Sequence, residues 1–374
     1  MINFYNIGKQ NTKYENNYFK KIREINKLGK YILGKNSKDF EVKFSRFTKS
    51  KYCIVVGNCL DAIRLTFEAY KILKLLKEGD EVIVPGNTYI ATILGISQSQ
   101  LKPVLVDPDP LTFNISLNQI KKVFNKKTKA ILAVDLYGYP ADLLNIKKFA
   151  RKNKILLLED AAQAHGARIA NKVVGSISDA TFFSFFPGKN LGAFGDAGAI
   201  TTSNKKLRDV LCSIRNYGEE YYSNLSNRKY KNKYIGFNSR LDELQAVILN
   251  LKLKSFFTEQ AKRTLVADYY LKNIKNKKIQ LPFIDKKNKA VHAWHLFVIR
   301  CNDRNKLKKY LQKFGIQTMI HYPIPPHKQV AYKNLIKNKL PITETLSKTI
   351  LSLPLNTTLK FNQIKYLVKI INKF

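Results

Sequence analysis

Three segments of this chain carry residue types that could act together on a carbonyl compound. The first, V-V-G-N-C-L-D-A (55–62), is a glycine turn between an apolar run and a helical pattern. The second, L-L-L-E-D-A-A-Q-A-H-G-A (156–167), is an apolar run that ends in acids. The third, S-F-F-P-G-K-N-L-G-A-F-G-D-A-G-A (184–199), sets one lysine among small residues. A helix start with free backbone N–H groups attracts an anion such as a phosphate. A lysine can condense with an aldehyde. A carboxylate facing a pyridine nitrogen keeps that nitrogen protonated. Together these are the parts needed to hold pyridoxal phosphate, whose ring accepts electrons. Gly192, Gly195 and Gly198 lack the G-x-G-x-x-G spacing of a dinucleotide loop and are read as close backbone packing.

Such residues need a scaffold, and the hydrophobic pattern supplies one. Short apolar runs at 53–57, 81–86, 103–108, 130–138, 155–160, 180–186 and 197–203 read as strands. Helical patterns separate many of them, the first at about 59–76. Continuous apolar runs alternating with helices predict a mainly parallel sheet covered on both faces. A long helical region, about 240–275, leads into a second pattern: a strand at 294–301, a helix near 304–314, a strand at 316–323 and a final helix near 362–373. We expect a large domain over 1–250 and a smaller α/β domain over 251–374. Ligands of open parallel sheets lie beyond the carboxyl ends of the strands. The polar residues at those ends include Asn58, Asn87 to Tyr89, Asp135, Asp160, Gln163, Ser184 and Lys189.

Composition narrows the classes. Hydrophobic residues make up 45% of the 374, enough for a large core and against disorder. No apolar run approaches the ~18 residues that span a bilayer, and the N-terminus has no continuous apolar h-region. The four cysteines form neither C-x-x-C nor a zinc-like cluster, so reduced thiols, a cytoplasmic setting and no metal are expected. Sixty-six Lys+Arg against 27 Asp+Glu leave a net charge of +39. The basic residues are mostly lysines scattered among Asn, Ile and Tyr, the signature of A/T-rich codons. Even the densest stretch, Lys121 to Lys154, falls on two predicted helices as a solvated face. No nucleic-acid or membrane partner is expected; a positive field favours an anionic substrate.

Seven ordered blocks resemble the pyridoxal-phosphate-dependent nucleotide-sugar aminotransferases of the DegT/StrS type, over about residues 30–356. They are PGNTYIAT (85–92), EDAAQAHGA (159–167), FPGKNLGAFGDAGA (186–199), RNYG (215–218), GFNSRLDELQA (236–246), WHLFVIR (294–300) and HYPIPPHKQ (321–329). The resemblance implies an aspartate-aminotransferase-like α/β fold (fold type I), with the site at a homodimer interface. It makes Lys189 the cofactor-bearing lysine and Asp160 the partner of the ring nitrogen. Gln163 would lie beside the ring and Tyr89 on its face. Cys59, Leu60, Asp61 and Ser184 would hold the phosphate, joined by Asn238 from the partner subunit. Gly34, His321 and Tyr322 would contact the substrate. His165 is ambiguous: a satisfied structural histidine beside the cofactor, or a functional one.

Two positions depart from the family pattern: Cys59 where relatives usually have Gly, and Phe186 where many have a tyrosine hydroxyl. Relatives that act as sugar dehydratases replace the lysine with His, so Lys189 points away from them. The wording N-C-L-D-A and D-L-Y-G-Y-P-A-D (135–142) looks most like enzymes that aminate C3 of dTDP-linked 3-keto-6-deoxyhexoses. L-glutamate would be the donor and a surface glycan or related amino sugar the destination. The alternative is amination at C4 of a UDP- or dTDP-4-keto-6-deoxyhexose.

Overall fold

The computed structural model describes residues 1–221, 230–284, 290–336 and 338–374. Its strands, in chain order, are β1 (Tyr52–Val56), β2 (Glu81–Pro85), β3 (Lys102–Val106), β4 (Thr128–Val134), β5 (Leu156–Asp160), β6 (Arg168–Ile169), β7 (Lys172–Val173), β8 (Ala180–Ser184), β9 (Gly198–Thr202), β10 (Phe297–Arg300) and β11 (Ile350–Leu353). Among the described residues, seven strands form the main sheet in the order β1-β9-β8-β5-β4-β2-β3. Only β9 runs against its neighbours.

Adjacent residues of each strand feed opposite cores, which is why the runs read as continuously apolar. Val82 and Val84 pack on one face with helices Cys59–Ile72, Ile90–Gln98 and Lys205–Ile214, whereas Ile83 packs on the other. Likewise Phe182 joins the first face, while Phe183 and Phe185 meet Phe40 and Phe44 of helix Lys35–Thr48. Phe44 contacts Phe183 edge-on at 4.9 Å and Phe185 at 5.2 Å. Ser184, at the end of β8, is thereby held between two aromatic anchors.

Strands β10 and β11 pair antiparallel beside helices Phe256–Asn273, Arg304–Lys313 and Phe361–Asn372, around a core that includes Phe297, Leu311 and Leu351. Two expected elements differ. The segment 316–323 is not a strand: it makes single bridges, Ile2 to Ile316 and Met319 to Ser352. Its amides are divided between two partners, Gln317 N–H to Ile2 O and Met319 N–H to Ser352 O, so no continuous ladder forms. The second strand of this sheet is instead β11, which begins where helix Pro341–Thr349 stops. The helical region 240–275 is two helices, Glu243–Lys254 and Phe256–Asn273, broken at Ser255 (φ −101°, ψ 8°). Among the described residues no helix is long and apolar enough to cross a membrane.

Candidate active site

The carboxyl ends of β1, β2, β4, β5 and β8 converge on one place. Asp160 ends β5 and is nearly buried. It accepts the Thr92 hydroxyl at 2.7 Å and the Ala162 N–H at 3.1 Å, and Thr92 meets Thr88 at 2.8 Å. Burial pushes the Asp160 carboxyl upward, opposed by these hydrogen bonds and by the Lys189 charge.

Lys189 stands in the turn that follows β8. Phe185 N–H bonds Ala197 O at 2.8 Å, Lys189 N–H bonds Phe186 O at 2.8 Å, and Ala193 N–H returns to Phe185 O at 2.7 Å. The turn closes so tightly that a Cβ on Gly192 would stand 2.4 Å from Pro187 O, a contact only glycine avoids. Burial pulls the Lys189 amine below the ordinary lysine range, with Asp160 and then Cys59 pulling the other way. A larger neutral fraction makes the amine a better nucleophile and base.

At the start of helix Cys59–Ile72, the Asn58 side chain accepts the Asp61 N–H at 2.8 Å. The Asp61 amide, expected as a phosphate donor, is here bonded to the helix cap. The Asp61 carboxylate is held by Ser239 at 2.7 Å and Arg64 at 3.0 Å. The Cys59 and Leu60 amides have no recorded partner among the described residues. Ser184 accepts the Phe186 N–H at 3.3 Å, which leaves its hydroxyl proton free to donate. Two open amides and a hydroxyl suit a phosphate, Lys189 suits an aldehyde, and buried Asp160 suits a protonated ring nitrogen. The residues fit pyridoxal phosphate.

Gln163 closes another wall. It accepts the Tyr137 N–H at 2.7 Å and donates to the Tyr322 hydroxyl at 3.0 Å. Tyr137 has φ +61°, and Gly138 beside it has φ +99°, with no room for a Cβ, which would lie 2.9 Å from Gln163 O. The Tyr137 hydroxyl donates to the His321 carbonyl. His321 bonds Ser352 at 2.8 Å, and burial pulls its ring down to about 4. Tyr89 is half-exposed with its ring 5.2 Å from that of Tyr322. His165 lies fully buried 5.5 Å from both Phe183 and Phe185, and burial pulls it down to about 3, so it stays neutral.

Two expected residues stand apart. The Gly34 amide donates to Glu243 Oε1 at 3.0 Å, so it is already engaged; a Cβ there would lie 2.8 Å from the same carboxyl group. Asn238 is exposed and bridges Asn216 in its own chain. Sequence reasoning missed Thr92, Tyr137 and Gln245, the last of which accepts the Phe194 N–H at 2.8 Å just beyond Lys189. Thr92 and Gln245 fell inside the quoted blocks, but only the fold shows what they touch. Tyr5 was missed as well; its ring lies 3.8 Å from where a Gly188 Cβ would be.

The model of the DegT/DnrJ/EryC1/StrS aminotransferase family matches residues 12–372. A dTDP-3-amino-3,6-dideoxy-alpha-D-galactopyranose transaminase from Aneurinibacillus thermoaerophilus is 44% identical over 374 residues, covering 100% of this chain and 99% of that protein. DesV of S. venezuelae, solved in complex with a ketimine intermediate, superposes with a TM-score of 0.93 at 33% identity, covering 100% of this chain and 98% of its own. NtdA from Bacillus subtilis, solved with bound cofactor PMP, gives 0.87 at 29% identity, over 98% of this chain and 85% of its own. With its main sheet, its lysine turn and its buried acid in place, the chain belongs to the DegT/DnrJ/EryC1/StrS aminotransferase family, the pyridoxal-phosphate-dependent nucleotide-sugar aminotransferases.

Proposed function

We propose that this aminotransferase moves the amino group of L-glutamate to C3 of a dTDP-3-keto-6-deoxyhexose. The products are a dTDP-3-amino-3,6-dideoxyhexose and 2-oxoglutarate: the donor α-carbon exchanges its amine for a carbonyl oxygen, and C3 exchanges its carbonyl oxygen for the amine. The observation that carries this reading is the 44% identity, end to end, with a transaminase named for that chemistry.

Bound pyridoxal phosphate supplies an aldehyde for amine exchange and a ring that accepts electron density. The protein supplies the rest. Lys189 would hold the cofactor, and its free Nζ would take the proton from the donor α-carbon. Asp160, fixed by Thr92 and Ala162, would hold the proton on the ring nitrogen. Cys59 and Leu60 amides and the Ser184 hydroxyl hold the phosphate. Gln163 and Tyr89 border the ring, and His321 and Tyr322 border the sugar nucleotide. Asn238, exposed in its own chain, completes the phosphate site of a partner subunit in a homodimer. The enzyme works in the cytoplasm, and its product supplies surface-glycan or related amino-sugar synthesis.

The test is direct. The protein is incubated with glutamate and either dTDP-3-keto- or dTDP-4-keto-6-deoxyhexose, and the product is read by mass and NMR. Nitrogen on C3 is the expected result. Nitrogen on C4 overturns the regiochemistry and leaves the cofactor chemistry standing.

A further inference from the structure

Helix Glu243–Lys254 grips the lysine turn at two places on one face. Gln245 takes the Phe194 N–H at 2.8 Å, and Lys252 donates to the Gly192 carbonyl at 2.6 Å. Residues seven apart lie two turns along the same helix face. Lys252 is only 8% exposed, and its ammonium sits 5.2 Å from the Phe194 ring and 5.9 Å from the Tyr14 ring. No carboxylate within ion-pair distance of it is recorded among the described residues. The Lys13 charge, itself paired with Glu259 at 2.6 Å, acts on it as well.

A buried lysine without a counter-ion is costly, so its place calls for a reason. Its one recorded hydrogen bond falls on Gly192, three residues past Lys189. Gly192 is also where the turn folds back on Pro187 most tightly. We infer that Lys252 is a positioning residue for the transfer reaction: it clamps the Gly192 carbonyl and so fixes the Phe186–Phe194 turn that aims Lys189 at Asp160. The aromatic faces of Tyr14 and Phe194 help hold the charge by cation–π attraction. The inference rests on Lys189 being the cofactor-bearing lysine, not on any sugar assignment.

Burial, aided by Lys13, pulls Lys252 down to about 8. A charged donor makes a stronger hydrogen bond than a neutral one. The clamp therefore weakens as pH rises through 8, whereas an arginine in its place stays charged.

Hydrogen exchange on the full-length protein tests this without substrate. In Lys252→Met at pH 7, amides of the 185–195 turn should lose protection at least tenfold. Strands β2 and β4 should stay within twofold of wild type, and the dissociation constant for added pyridoxal phosphate should rise. Lys252→Arg should restore both. Unchanged protection of the turn, or an equal loss throughout the chain, overturns the inference. Should the methionine variant not fold, wild type is compared with Lys252→Arg at pH 7 and pH 9. Wild type should lose at least threefold more turn protection than the arginine variant by pH 9, and parallel behaviour overturns the clamp. Failure here leaves the aminotransferase reading intact, because no amino donor or sugar enters the measurement.

Discussion

Gln163 and Tyr322 join two regions of the chain 159 residues apart through one hydrogen bond, Nε2 to hydroxyl, at 3.0 Å. Because the other end of the Gln163 amide takes the Tyr137 N–H, the side chain cannot turn over without losing that donor. The segment bearing His321 is thus registered against the end of β4.

Removing that hydroxyl leaves a part-buried amide donor without its partner. A neutral hydrogen bond is worth ~0.5–1.5 kcal/mol and an abandoned buried donor about 1–3 kcal/mol. Tyr322→Phe should raise KM for the sugar nucleotide roughly five- to tenfold and leave the cofactor absorption spectrum unchanged. A shifted spectrum with unchanged KM would place Tyr322 at the cofactor instead.

Lys189 is expected to carry the cofactor covalently. Borohydride treatment should fix it there, and a peptide map should find the adduct between residues 186 and 195. Lys189→Ala should lower turnover by about 10²–10⁴-fold, the usual contribution of a positioned acid–base group. An adduct on any other lysine would refute the assignment.

Asp135 and Glu159, the neighbours of Asp160, provide a pH test of stability. Both are fully buried at the ends of β4 and β5, where Asp135 accepts the Ala141 N–H at 2.8 Å and Glu159 accepts the Thr181 hydroxyl at 2.6 Å. Burial, then Glu159, pushes Asp135 well above the usual carboxylate range, and burial raises Glu159 as well. In the unfolded chain both ionise near pH 4. Above that, the folded state keeps protons that the unfolded state has released. Stability from the pair is complete below the unfolded values and is lost as pH climbs through the folded ones. Denaturant midpoints from pH 4 to 8 should therefore fall less steeply in Asp135→Asn than in wild type; equal slopes would count against the pair.

Shared sites make a complementation test. Lys189→Ala and Asn238→Ala homodimers should each be impaired, and mixed subunits should recover part of the activity, since one of the two sites is then intact. Sedimentation of a fully active monomer would end the idea.

Phe186 is 56% exposed beside the lysine turn and lacks a hydroxyl. One missing neutral hydrogen bond, ~0.5–1.5 kcal/mol, is roughly two- to tenfold in affinity. The enzyme should accept both galacto and gluco configurations at C4, and Phe186→Tyr should sharpen or shift the preference with the cofactor spectrum unchanged. The readout is the ratio of kcat/KM for the two sugars.

What the sequence made legible follows from what is local. The strands of the main sheet are continuous apolar runs because both faces are covered, so each could be read by itself. Asp160 and Lys189 sit at the ends of such runs, where chemistry is expected. Helix Glu15–Leu28 lies outside the expected elements, although Tyr18, Ile22 and Ile25 stand at helical spacing. The segment 316–323 looks strand-like in composition, yet its backbone partners lie at Ile2 and Ser352, which no local pattern reveals. Thr92, Gln245 and the commitment of the Gly34 amide to Glu243 are contacts between distant segments, fixed only when the sheet and helices pack. The Asp61 amide was legible in principle: Asn three residues before it is an ordinary helix cap.

The buried Glu243 carboxylate receives the amides of Gly34, Asn36 and Ser37 at 2.8–3.0 Å. It reaches back across 209 residues to do so. On the ribosome, at about 5–20 residues per second, helix Lys35–Thr48 must wait roughly 10–40 s for the residue that satisfies its first turn. The opening residues wait longer still, because Ile2 pairs with Gly315 and Gln317. The beginning of this polypeptide is thus among the last parts to settle. A nascent chain arrested before Glu243 carries an unfinished helix end, and its Phe40–Phe44 face lacks the covering helix.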